Sequence, residues 1–196
     1  MRQYRPYPRA PLEIPPTEKP NASPPSRRKA PRNWGKIFAE GTPVAGATAK
    51  QLTTLTQLWA PMTKEEADWV FPYNRKQRAN ALKWRLAGYP LPASYLDFIR
   101  FSNGGTFRNG DRTFKDFFEV ENLRPMMLKW HIPESMPSVL PFAFDGGGVF
   151  CAFDMRKPPK NGEFPIVAFH CSTPYWGETS PVADTFVQAC RGTSAY

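Results

Sequence analysis

Only three cysteines, Cys151, Cys171 and Cys190, occur in 196 residues, odd in number and far apart. They imply no disulfide framework, and a reducing compartment is the simpler expectation. Histidine is scarcer still, with His131 and His170 alone. A zinc site needs closely spaced pairs such as Cys-x2-4-Cys or His-x3-5-His, whereas the ligand-type residues here stand about twenty apart except for His170-Cys171, so no metal and no cofactor is expected. No apolar run approaches the ~20 residues of a membrane span. Met1-Arg2-Gln3-Tyr4-Arg5-Pro6 lacks the apolar segment of a secretory signal, and the expected location is the cytoplasm.

The chain is rich in aromatics, 15 Phe, 6 Trp and 7 Tyr, and in proline, with 23. Nine of the prolines fall between Met1 and Arg32 among Arg, Lys, Ser and Glu, a composition with too little apolar area to offset the entropy of ordering. The net charge of +9 is concentrated there too: residues 1–40 hold nine Lys/Arg against three Asp/Glu, and the remainder is only mildly basic. The expected organisation is a disordered basic proline-rich tail over 1–40 and one domain over 41–196. Pro8-Arg9-Ala10-Pro11 fits the loose PxxP pattern of proline-binding modules, although such composition produces it often by chance. A folded part of about 150 residues is long enough for one hydrophobic core.

Leu52, Leu55, Leu58 and Trp59 have helical spacing ahead of Pro61. Thr63-Lys64-Glu65-Glu66 is a capping-box pattern that opens a helix, kept short by Pro72. Asn74 is placed to cap a further helix to about Ala87, with Ala79, Leu82 and Leu86 on its apolar face and Gly88 as its stop. Its basic cluster between Arg75 and Arg85 is either a solvated face or a contact for an acidic partner. Pro92 sits where its missing N–H is harmless, at the start of a helix with Tyr95, Phe98 and Ile99 as a core stripe, closed by positive φ at Asn103-Gly104.

Beyond this point the period becomes strand-like. Arg108-Asn109-Gly110-Asp111 signals a tight turn and Phe117–Val120 a strand; Asn122 is placed to cap a short helix to Trp130 broken by Pro125. Residues 139–144, 149–154 and 164–169 are three more predicted strands, and Pro181 to Cys190 carries helical spacing again at Ala183, Phe186, Val187 and Cys190. The fold class expected is α+β: N-terminal helices, a central, mostly antiparallel sheet of about five to six strands, and a closing C-terminal helix.

Catalytic chemistry finds little support. Cys151 or Cys171 with His131 or His170 would need to meet as nucleophile and base, but adjacent residues such as His170 and Cys171 point to opposite faces of a strand. Asp145 and Asp154 bracket an aromatic strand and could be paired carboxylates, yet Asp145 before three glycines fits a turn acceptor better. Gly146-Gly147-Gly148 leads into a strand rather than a helix N-terminus, so it is no phosphate loop. No catalytic residue is expected. Trp176, beside Tyr175 in the polar loop through Glu178, either anchors an interface or packs over the sheet edge.

Three motifs carry a resemblance. Gly88-x-x-Leu91-Pro92-x-x-Tyr95-x-x-Phe98-Ile99-x-x-x-Asn103-Gly104, then Pro141-Phe142 with Asp145-Gly146-Gly147-Gly148 and Asp154, then Ala183-Asp184-Thr185-Phe186, together resemble the SUKH superfamily over about residues 62 to 190. That group contains the Smi/Knr cell-wall-assembly regulators and many bacterial immunity proteins. Ala143, Phe144 and Val149 depart from its usual residues, and the helices before the first motif are basic where many such immunity proteins are acidic. The resemblance implies a non-enzymatic protein-binding fold, often one that neutralises a cognate toxin by direct binding in bacterial competition. The residues expected to face a partner are Arg75 and Arg78 on the basic helix, Arg108 and Asp111 at the hairpin, and Asp145, Tyr175, Trp176 and Glu178 in the later loops. The alternative is a nucleic-acid or acidic-surface binder using the tail and the 75–85 cluster.

Overall fold

The computed structural model describes residues 32–192; the proline-rich stretch through residue 31, with its PxxP segment, and residues 193–196 lie outside them. The domain core starts earlier than residue 41, because Trp34 and Phe38 are buried in it and the Trp34 indole N–H donates to Asp97 at 3.0 Å. Residues 32–40 therefore belong to the folded unit rather than to a tail.

Short helices come first, and local capping explains where they begin. The Thr48 side chain accepts from Gln51 N while the Gln51 side chain accepts from Thr48 N, opening α1 (Ala49–Leu52), which tightens into a 3-10 turn over Thr53–Gln57. The same reciprocal box at Thr63 and Glu66 opens α2 (Lys64–Val70). Asn74 caps α3 (Arg75–Ala81), which ends six residues before the expected Ala87. Its buried contact is Ala81 rather than the expected Ala79 and Leu82, and Trp84 follows in a non-helical segment. Met62, Ala67, Phe71, Ala81, Trp84 and Leu128 form a small second core, so the chain leaves the helix early to insert Trp84 there. Gly88 then passes so close to Trp59 that a Cβ would lie 2.2 Å from the indole.

Pro92 caps α4 (Ala93–Phe101), whose Tyr95, Phe98 and Ile99 are buried as the spacing predicts. The left-handed pair after it is Gly104-Gly105, at φ 111° and 100°, not Asn103-Gly104. Among the described residues seven antiparallel strands follow sequence order across one sheet: β1 (Glu40–Thr42), β2 (Gly105–Asn109), β3 (Arg112–Phe117), β4 (Val139–Phe144), β5 (Val149–Asp154), β6 (Ile166–His170) and β7 (Ser180–Ala183). That is more than the expected five to six. The added strands are the edges: β1 is fully exposed and has no apolar alternation, and β7 lies in the stretch read as the start of the last helix. The last helix, α7, is confined to Phe186–Cys190, capped by Thr185.

Phe117–Val120 is not a strand either. β3 stops at Phe117, and α5 (Val120–Lys129) begins three residues later, with Pro125 inside it and no break. A proline deletes one ladder bond. The helix survives because buried Val120, Leu123, Met127 and Leu128 fix it to the sheet and Asn103 Oδ1 accepts from Val120 N at 2.9 Å. α6 (Ile132–Ser135) follows after His131, which sits at φ 52°.

The sheet is covered on both sides. On one, Tyr95 and Phe98 of α4 and Phe186 of α7 meet Phe117, Phe142 and Phe153; on the other, Phe118 and Trp130 flank Phe150. Pro141, unable to donate to the ladder, sits at a register shift between β4 and β5.

Candidate protein interface

The motif residues turn out to be structural. Tyr95, Phe98 and Phe186 are fully buried, and Leu91 and Pro92 lead into the helix that carries the first two. Asn103 is buried with both ends of its amide occupied: Oδ1 takes Val120 N, and Nδ2 donates to Glu121 Oε2 at 3.0 Å. Its amide therefore ties α4 to α5 rather than ending α4 or meeting a ligand. Asp145 Oδ1 accepts from Gly147 N at 2.7 Å and Val149 N at 2.9 Å, while Gly146 and Gly148 supply φ values of 86° and 106°. The glycines are the backbone device the sequence suggests. Asp154 holds Arg156 through two side-chain bonds of 2.9 and 2.6 Å and one backbone bond. Burial raises the Asp154 pKa, but the Arg156 bonds outweigh it and leave the carboxyl below its ordinary value. Ala183 is buried at the end of β7, and Asp184 is exposed one residue before the Thr185 cap.

Nucleophile chemistry is disfavoured by the same geometry. Burial pushes the Cys151 thiol up to about 12 and raises Cys190 as well, so neither supplies a thiolate near neutral pH. His170 is exposed and its Nδ1 lies 2.8 Å from Ser172 Oγ, whereas Cys171 beside it is buried. The His131 ring packs on Phe71 at 4.6 Å and Trp84 at 5.7 Å.

Five of the eight residues expected to face a partner lie in connections of the sheet, and Arg108 stands near the end of β2. In an up-and-down sheet alternate connections leave from one end, as do the turns at 110–111 and 145–148 and the loop at 171–179, but that loop folds back to lay Trp176 on Arg156, past the opposite end of β5. Arg108 and Asp111 are exposed at the first, and the Arg108 Nε donates to Gly110 O at 3.1 Å. Tyr175, 56% exposed, and Glu178 stand out from the third. Trp176 is half-buried: its ring packs against the main core and lies 3.8 Å from the Arg156 guanidinium, which already pairs with Asp154. It packs over the sheet and positions the loop from which Tyr175 projects.

Arg75 and Arg78 lie apart from that cluster, on the α2–α3 hairpin. Arg75 is exposed. Arg78 is engaged within the fold, donating to Phe71 O at 3.0 Å and Pro72 O at 2.8 Å and pairing with Asp68 at 3.0 Å. It is a clamp on the turn, which the sequence could not distinguish from a surface cation. On the same hairpin Leu82, which the spacing places on the apolar face, is exposed, and so are Trp69 and Tyr73. The sequence signal for the last two is aromatic residues standing off the core stripe beside cations.

The chain matches the SMI1 / KNR4 family (SUKH-1) over residues 76–189. It belongs to that family. No curated protein matches it. The SUKH-1 stretch takes in all three motifs and β2 through β7, so the family pattern corresponds here to the sheet and the helices that cover it; α1, α2 and β1 precede it. Among the described residues no helix is long and apolar enough to cross a membrane.

Proposed function

We propose that this SUKH-1 protein is a non-enzymatic protein-binding module, an immunity protein that neutralises a cognate bacterial toxin in the cytoplasm by direct association. The observation that carries the reading is the role of the motif residues: those that define the family hold the core and its turns, which leaves recognition to the surface. The β6–β7 loop bearing Tyr175 and Glu178 is the proposed contact, with Arg108 and Asp111 at the β2–β3 hairpin as further contact residues. The loop offers one exposed aromatic over a fixed base of Trp176 and Arg156 with charges of both signs around it, the mix that interface centres and rims use. Asp145 contributes by fixing the neighbouring turn and Trp176 by seating the loop.

Co-expression with the product of the neighbouring open reading frame, assayed as the toxin, tests this. Growth should be rescued by the wild-type chain and lost with Tyr175→Ala combined with Glu178→Lys, both surface changes. Failure to recover any stable protein partner from its own cells, or turnover of a substrate by the purified chain, would overturn the reading.

A further inference from the structure

The described residues expose six large apolar side chains to 36% or more, and three of them, Trp69 at 54%, Tyr73 at 99% and Leu82 at 45%, fall on the α2–α3 hairpin. Scattered exposed apolar residues are ordinary; three within fourteen residues need a reason. Folding does not supply one, because the hairpin buries Phe71, Ala81 and Trp84 beneath them. The platform is also firmly held. Arg78 closes its turn, Asn80 reaches Glu134 of α6 at 3.3 Å, and Glu66 is bridged to Arg124 of α5.

Its charge is one-sided. Arg75, Lys76, Lys83 and Arg85 are exposed and make no ion pair among the described residues. The carboxylates of the hairpin are mostly neutralised: Asp68 pairs with Lys64 and Arg78, and Glu66 with Arg124. Along α3 and its C-cap, Arg75, Ala79 and Leu82 recur at i, i+4 and i+7, so cation and apolar contact share one strip.

We propose that this hairpin is a docking surface for an acidic protein segment carrying apolar side chains. The unpaired cations select the acidic partner, and Trp69, Tyr73 and Leu82 accept its apolar residues as contacts that exclude water. A nucleic acid fits less well. It meets the cations and its bases could stack on Trp69 and Tyr73, but it brings no apolar side chain to cover Leu82. The surface is separate from the β6–β7 loop bearing Tyr175, and the proposal does not depend on which protein that loop binds.

The test is fluorescence anisotropy with the full chain near 150 mM salt. Three labelled probes are used: a peptide of Glu pairs interrupted by Leu, an all-Glu peptide of equal length, and a single-stranded DNA of matched charge. The Glu/Leu peptide should bind tightest, and Tyr73→Ala with Lys76→Glu should weaken it about tenfold. Both positions are exposed, and a glutamate in the first turn of α3 suits the helix dipole, so the variant keeps its denaturation midpoint. Trp69→Ala provides an independent second variant. Binding of DNA as tight as the peptide and lost in the same variant would reassign the surface to nucleic acid. Peptide binding that is absent, or unchanged in both variants, would overturn the proposal.

Discussion

Arg124 grips Glu66 through two hydrogen bonds, Nε to Oε1 at 2.6 Å and Nη2 to Oε2 at 2.8 Å. The same guanidinium donates to the carbonyls of Gln57, Leu58, Ala60 and Pro61, the chain that leaves the 3-10 turn. One side chain on α5 thus satisfies the C-terminal carbonyls of one element and the acidic first turn of another. The α2–α3 hairpin is seated on the sheet domain through it.

Arg124→Ala is expected to destabilise the fold by about 2–4 kcal/mol, because partly buried carbonyls and a carboxylate lose their donor together. Arg124→Lys should recover only part of this, since an ammonium cannot reproduce the forked geometry. Urea denaturation measures both. The pair also gives a pH signature. The Arg124 bond holds the Glu66 pKa below its ordinary 4.5, against the opposing effect of burial. A carboxyl lowered in the folded state stabilises fully above 4.5 and loses that contribution as pH falls through the folded value. The gap between wild type and Arg124→Ala should therefore be widest at neutral pH and narrow below 4.5. Glu121 and Asp154, also lowered, act on both proteins and cancel in the comparison.

Phe186 sits among the buried aromatic rings on its face of the sheet. Its ring lies 5.2 Å from Tyr95 and Phe142, 5.6 Å from Phe98 and 5.8 Å from Phe153, and it is fully buried. Phe186→Ala should cost about 3–5 kcal/mol, whereas Phe186→Leu should cost distinctly less because it leaves a smaller cavity. The midpoint of chemical unfolding separates them.

The elements that were legible in the sequence are those whose cause is local. Thr63-x-x-Glu66 opens α2, Pro92 opens α4, and the strands at 139–144 and 149–154 begin and end where their apolar runs do. Thr48-x-x-Gln51 carries the same capping signal, but the helix it opens is only four residues long. What could not be read was set by distant partners. Trp84 ends α3 by packing with Met62 and Leu128, Asn103 serves a helix seventeen residues away, and Arg124 meets Glu66 across fifty-eight. The edge strand β1 exists because Glu40–Thr42 pairs with β2, a fact its own residues do not encode. At the interface, exposure of the hairpin and loop residues was inferable from polarity, but the engagement of Arg78 and the seating of Trp176 were not.

Arg156 joins the two ends of that seating. It is paired with Asp154 at 2.6 Å and stacked at 3.8 Å over Trp176, so the loop carrying Tyr175 is fixed through a cation–π contact on a neutralised guanidinium. Arg156→Ala should lower global stability by only about 1 kcal/mol, given the exposure of the arginine. Its local effect should be larger: amide exchange at Gly177 to Thr179 should quicken while that of β5 stays protected. Equal acceleration across both segments would show that the arginine supports the whole sheet instead.

The turn at Asp145 allows a sharper experiment, because its side chain and its glycines do different work. Asp145→Ala removes the acceptor of two backbone N–H groups, for about 1–2 kcal/mol, and Asp145→Asn should retain most of the stability because an amide oxygen still accepts. Gly148→Ala should be worse than either. Its φ of 106° is hostile to any side chain, and the added Cβ would lie 2.6 Å from His170 Nε2. Removing the ring with His170→Ala should relieve the contact but not the backbone strain, so the double variant should recover only part of the loss. Full recovery would mean that crowding, not φ, is why glycine stands at 148; no recovery would assign the whole effect to the backbone.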